Sequence, residues 1–182
     1  ILGGDDPETV DNFVDKNPND ILVFGPNGKT VRARTANQKK MVAAADKNDI
    51  VFAIGPAGTG KTTVINAILK AIKVTSNQTE KCLLLAPTGK ASDRMREATG
   101  EDAKTIHQFL ASKGWLNPNF TFKKAGGRKE DDITTYIVDE TSMIDLTLMA
   151  TLFKAINWDY AKRIILVGDP NQLPPIGKGK VF

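Results

Sequence analysis

A chain of 182 residues, 41% of them hydrophobic, holds enough apolar side chain for one domain with a sizeable core but crowds two of ordinary size. Its single cysteine, Cys82, excludes a disulfide framework and a cysteine-built metal site, which suits a reducing, cytoplasmic setting. No apolar run reaches the roughly 20 residues that span a bilayer, and the acidic start does not resemble a secretory signal, so a soluble protein with no membrane partner is expected. The net charge of +4 is unevenly spread: residues 1–29 carry six acids and two bases, and elsewhere 23 bases outweigh 15 acids. That surplus is compatible with a polyanionic partner and equally ordinary for a soluble protein.

In chain order, residues 1–20 are rich in aspartate, and only Val10, Phe13 and Val14 suggest a short helix face. They read as a surface extension. Ile21 to Phe24 is strand-like, Pro26-Asn27-Gly28 has turn chemistry and Thr30 to Arg32 returns, which predicts a small hairpin. Residues 1–34 therefore form an N-terminal extension, and residues 35–182 the main domain. Helix signals begin at Thr35 to Asn37 and run through Met41 to Ala45 until Asn48. Ile50 to Ile54 is a short apolar strand.

Gly55-Pro56-Ala57-Gly58-Thr59-Gly60-Lys61-Thr62 then reads as G-x-x-x-x-G-K-[ST], a loop whose backbone N–H groups close around a nucleotide's phosphates. Glycine permits the torsions that close such a turn and leaves no Cβ between the chain and the anion. Lys61 is suited to the β- and γ-phosphates, Thr62 to Mg²⁺, and the positive end of the following helix adds its dipole. Val64, Ile65, Ile68, Leu69 and Ile72 give that helix its period.

Further apolar strands are predicted at 82–86, 133–138 and 162–167, and helices near 89–98, 105–111 and 145–156. Apolar strands alternating with helices imply a mostly parallel sheet covered on both faces, a three-layer α/β domain. Residues 113–130, with Trp115, Phe120 and Phe122 among Lys123, Lys124 and Arg128, read as a possible inserted hairpin. Open parallel sheets bind ligands beyond the carboxyl ends of their strands, so acids there are informative. Asp139 and Glu140 end one strand, Asp139 suited to holding Mg²⁺ and Glu140 to orienting or deprotonating an attacking water. Gln172, in the loop after another, can hydrogen-bond both a phosphate oxygen and a water. Pro87-Thr88-Gly89-Lys90 and Thr105-Ile106-His107 offer hydroxyls, a lysine and an imidazole to a nucleic-acid strand. His107 is equally readable as a satisfied, half-buried side chain.

With these motifs in order, residues 57–182 resemble the first RecA-like domain of a RecD-like superfamily 1 DNA helicase. The carriers are GPAGTGKTT at 55–63, APTGKAS at 86–92, KTIHQFL at 104–110, IVDETSMIDLTLM at 137–149 and ILVGDPNQLPPIGKGKVF at 165–182. The resemblance implies an ATPase motor with ATP and Mg²⁺ held by the loop from Gly55 through Thr63. It also implies adenine read by Gln38, Gln172 coupling the γ-phosphate to movement, and single-stranded DNA on Pro87, Thr88, Gly89, Lys90, Thr105 and His107. Helicases of this type close their ATP cleft with a second RecA-like domain, so the resemblance implies weak turnover unless that domain or another subunit completes it. The 113–130 stretch lies where such helicases insert a strand-separating hairpin. Residues 1–62 resemble instead a PhoH-like P-loop ATPase, which implies RNA as an alternative partner. A nucleotide-binding module without turnover is the third reading.

Overall fold

The computed structural model describes residues 21–24, 30–33, 35–56, 60–172, 175 and 177–179. The expected helix face at Val10, Phe13 and Val14 lies outside them, as do Ala57, Gly58 and Thr59 of the glycine-rich loop. Two strands, β1 (Ile21–Phe24) and β2 (Thr30–Arg32), pair antiparallel as the expected hairpin. Helix α1 (Ala36–Lys47) follows, then β3 (Ile50–Ile54), α2 (Lys61–Thr75), β4 (Cys82–Ala86), α3 (Gly89–Thr99), β5 (Ala103–Thr105) and α4 (Ile106–Ser112). After a long loop come β6 (Thr135–Val138), a 3-10 turn at Thr141–Met143, α5 (Leu146–Ala155) and β7 (Arg163–Gly168).

The five later strands form one sheet in the order β3-β7-β6-β4-β5, and every pairing within it is parallel. Strands β4, β6 and β7 are covered on both faces, which is why they are largely apolar with no alternation to polar residues. One apolar layer joins Ile65, Ile68 and Leu69 of α2 and Met95 of α3 to Leu84, Ile137 and Ile165. The other joins Phe109 and Leu110 of α4 and Leu152 of α5 to Leu85, Tyr136 and Leu166. This is the three-layer α/β architecture of the RecA-like fold. The extension packs on it: both hairpin strands contact α2, and α1 lies against α2 and β3.

Local chemistry sets the helix starts. Thr35, Thr88, Thr105 and Asp145 each accept a backbone N–H from the first turn of α1, α3, α4 and α5, and Thr105 with Gln108 forms a reciprocal capping box. Helix α2 begins differently, at Gly60 with φ of 79° and no side-chain cap. A left-handed torsion of that kind suits glycine.

The sequence reading missed β5, which has only three residues and forms by pairing with Leu84 to Ala86. The 113–130 stretch contains a reduced hairpin, a single antiparallel bridge between Leu116 and Phe122 around a turn at Asn117 to Phe120. Of its aromatics, Trp115 is buried and donates its indole N–H to Arg128 O at 2.8 Å, and Phe122 packs on the core. Phe120 is 70% exposed.

At the amino ends of the strands, Glu80 accepts from Lys162 Nζ at 2.9 Å and Arg163 Nη1 at 2.8 Å, tying the start of β4 to that of β7. Strand β3 is the edge of the sheet and alternates: Val51 and Ala53 are buried, while Ile50 and Ile54 are about half exposed (49% and 53%). The asymmetry predicts unequal mutational costs. Ile137→Ala, in a fully buried position, should lower unfolding free energy by about 2–5 kcal/mol, whereas Ile50→Thr should stay within about 0.5 kcal/mol. Urea titration of both variants checks this.

Candidate nucleotide and nucleic-acid site

Because the sheet is parallel, the carboxyl ends of all five strands lie along one edge, and the chain leaves β3 for a strand three places away. A crevice at such a reversal is where α/β sheets take ligands. The loop after β3 enters it tied to the neighbouring strand, Gly55 N donating to Gly168 O at 3.1 Å. Thr141 Oγ1 donates to Val167 O at 2.7 Å, and Asp139 N to Leu85 O at 2.9 Å. These bonds fix the ends of β3, β4, β6 and β7 relative to one another.

Lys61 opens α2, and its ammonium donates to Gly55 O at 2.7 Å and to Pro56 O at 3.3 Å. It is thereby folded over the loop, where it satisfies its hydrogen bonds with backbone carbonyls that an anion can replace. The N–H groups of the first turn of α2 have no side-chain cap, in contrast to the other four helices, which leaves them for a bound anion. Thr62 and Thr63 follow in that turn.

Asp139 is 8% exposed, and burial is the main reason its carboxyl titrates above the ordinary carboxylate range. The Glu140 charge pushes the same way, and the Glu140 N–H, donating to Asp139 Oδ1 at 2.8 Å, and the Lys61 charge oppose it. Lys61 and the acidic pair therefore share one electrostatic neighbourhood. Glu140 has a left-handed backbone, φ of 52°, and its Oε2 is buried with no hydrogen-bond partner. A non-glycine residue held there stores local strain. Two carboxylates short of positive partners fit a divalent cation. Among the described residues no cluster of three or more His, Cys, Asp or Glu closes a metal cage, so Mg²⁺ here would use Asp139, the Thr62 hydroxyl, waters and phosphate oxygens, its usual manner of binding.

Gln172 stands in the turn after β7, its N–H donating to Asp169 O at 3.1 Å, while Asn171 N donates to Asp169 Oδ1 at 3.0 Å. Buried Asp169 thus shapes the turn that carries Gln172, a positioning role the sequence reading did not assign; the Asp-Pro-Asn step was its signal. Gln38, in the first turn of α1, shares an open cavity of about 480 Å³ with Thr62 and Thr63.

The expected nucleic-acid residues follow β4 and β5, at the other end of the sheet from β3. Thr88, Gly89 and Lys90 are exposed at the start of α3 after β4, and Pro87 is half-buried. Thr105 starts α4 after β5, and Ala86 and Thr105 are paired, so the two loops are neighbours. The Thr105 hydroxyl accepts Gln108 N at 3.0 Å. His107 is half-buried and stacks on Phe122, with ring centroids 6.4 Å apart and planes inclined by 25°.

A family model described as an AAA domain matches residues 38–178. The chain belongs to that family. Within it the chain is RecD-like: it is 34% identical over 162 residues to the RecBCD enzyme subunit RecD of Buchnera aphidicola, an alignment covering 80% of this chain and 26% of that protein. It is 32% identical over 151 residues to the ATP-dependent RecD2 DNA helicase of Deinococcus radiodurans, covering 81% of this chain and 20% of that protein. An uncharacterized protein of Methanocaldococcus jannaschii is 39% identical over 153 residues, covering 80% of this chain and 13% of its own length. The chain thus spans about a quarter or less of these relatives. Among solved structures, the Pif1 helicase of Candida albicans superposes with a TM-score of 0.51 at 20% identity, over 79% of this chain and 34% of that one. That likeness is one of fold.

The buried carboxylate sets a pH dependence. A native carboxyl that titrates above its unfolded value binds more protons than the unfolded chain in the interval between the two, so stability falls as pH rises through it. In Mg²⁺-free buffer the domain should lose stability as pH rises above the ordinary carboxylate range, and Asp139→Asn should flatten that slope and raise Tm at pH 7. Thermal melts from pH 4 to 7 measure both, and an unchanged slope in the variant would count against the assignment.

Proposed function

We propose that this AAA domain is an ATP-binding and ATP-hydrolysing motor domain of a DNA helicase that contacts single-stranded DNA. The observation that carries the reading is geometric: Lys61, folded over the loop after β3, and the acidic pair Asp139 and Glu140 after β6 stand at the same edge of the parallel sheet, and Glu140 Oε2 is buried without a partner. The backbone from Gly55 through Gly60 and the uncapped turn of α2, with Lys61, Thr62 and Thr63, take the phosphates, and Gln38 takes adenine. Mg²⁺, when bound, neutralises charge on the β- and γ-phosphates. Glu140 serves as the base that takes a proton from the attacking water, a reading supported by its Oε2 having no internal partner. Gln172 senses the γ-phosphate. Pro87 to Lys90, Thr105 and His107 hold the strand through helix N-termini and a ring already stacked on Phe122.

A second RecA-like domain or another subunit would add the arginine that stabilises the transferring phosphoryl group, an effect of about 10³–10⁵ in rate. The relatives named as RecD and RecD2 support the helicase reading. The alternative, a PhoH-like ATPase acting on RNA, rests on the resemblance of residues 1–62.

Phosphate release from Mg-ATP, with and without single-stranded DNA or RNA, tests the proposal. Slow turnover stimulated by DNA is expected, with Glu140→Gln lowering it by about 10²-fold or more while ATP binding persists, and Lys61→Ala weakening binding. Stimulation by RNA alone would move the assignment to the alternative. Absence of ATP binding in the wild type would overturn both.

A further inference from the structure

The cavity that Gln38 shares with Thr62 and Thr63 has an outer wall from beyond the family domain. The family match begins at Gln38, yet Thr30 and Arg32 of β2 line this cavity. Alternation along a strand puts these two residues on one face of β2. The opposite wall is a stripe of α2, Thr63, Asn66, Ala67 and Lys70, and the carboxyl end of α3 closes it, Asn66 Nδ2 donating to Ala98 O at 3.0 Å. Both hairpin strands pack on α2, so Arg32 is held opposite that stripe by the fold.

The volume, about 480 Å³, is ordinary for a small-molecule site. Thr62 marks the end next to the phosphate loop, and Lys70 lies about 12 Å further along the helix axis at 1.5 Å per residue. With a triphosphate on the first turn of α2, this is the space left for ribose and base. The lining described is two cations, two amides, three threonines and two alanines, with no carboxylate and no aromatic ring. A purine needs a flat surface as well as an edge contact. The amide of Gln38 suits the edge, and among the described lining residues the extended planar group is the Arg32 guanidinium, which stacks on aromatic faces and adds cation–π attraction.

We propose that Arg32 is the base-stacking residue of the nucleotide site, so that the hairpin preceding the family domain governs how tightly a nucleoside triphosphate is held. This rests on the ATP-binding reading above and adds to it a residue and an element. Stacking tolerates any purine, so Arg32 supplies affinity and Gln38 supplies the choice between bases.

The test is calorimetric titration of the wild type, Arg32→Ala and Arg32→Lys with Mg-ATP, Mg-GTP and Mg-tripolyphosphate, which lacks base and sugar. Arg32→Ala should weaken ATP and GTP alike, roughly two- to thirtyfold, and leave tripolyphosphate unchanged. Arg32→Lys should restore little, since it returns charge without the plane. Equal loss of ATP and tripolyphosphate, full rescue by lysine, or unchanged ATP affinity in Arg32→Ala would each overturn the inference while leaving the ATP-binding reading intact. A wild type that binds neither ATP nor tripolyphosphate would overturn that reading itself. Arg32 is exposed, so circular dichroism should show the variants folded.

Discussion

The carboxylate of Asp139, held in a nearly dry position beside Lys61, is the constraint to which the rest of the domain answers. An ionised acid there is costly unless positive charge and hydrogen bonds reach it, and the parallel register brings both. Strand β6 ends between β4 and β7, so Asp139 N is spent on Leu85 and the Glu140 N–H turns back onto its carboxylate. The left-handed backbone at Glu140 makes that turn possible. The two-sided apolar core fixes where β6 ends, and the glycine-rich loop, bonded to the end of β7, fixes where Lys61 begins. Burial of Asp139, the left-handed Glu140 and its unpartnered Oε2 all cost stability at this spot, the pattern of local strain that functional sites carry.

Helix α2 joins the core to the chemistry. Its inner stripe of Ile65, Ile68, Leu69 and Ile72 is buried, its first turn is left open to an anion, and its outer flank forms one side of the cavity that Arg32 faces. The same helix carries the hairpin. An element outside the family match is thus built onto the helix that also opens with Lys61 and Thr62.

Much of this arrangement was legible in the residues. The core strands announced themselves because strands buried on both faces must be apolar throughout, and the glycine-rich octet because its torsions and charge have few other uses. The hairpin boundaries followed from Pro26-Asn27-Gly28. Strand β5 was not legible: Ala103-Lys104-Thr105 has no apolar run, and its strand character comes from β4. Nor could composition separate the aromatics of the 113–130 stretch, since direction is a property of packing; Trp115 turns inward and Phe120 outward. Arg32 was invisible as a site residue because only the hairpin's seat on α2 brings it near Thr62. Asp169 acts through the turn it shapes, its carboxylate accepting the backbone N–H of Asn171.

Strand β3 ends at the glycine-rich loop, yet it is the outermost of the described strands of the sheet, with Ile50 and Ile54 half in water. In mechanical terms the first residues of the loop are braced from two sides, by β7 through Gly55 and Gly168 and by Lys61 from the start of α2. Whatever joins the sheet at that margin would stiffen the strand from which the loop hangs, and whatever leaves would slacken it. Linkage makes the exchange reciprocal: anything that tightened the loop would also change how readily a further strand joins the sheet.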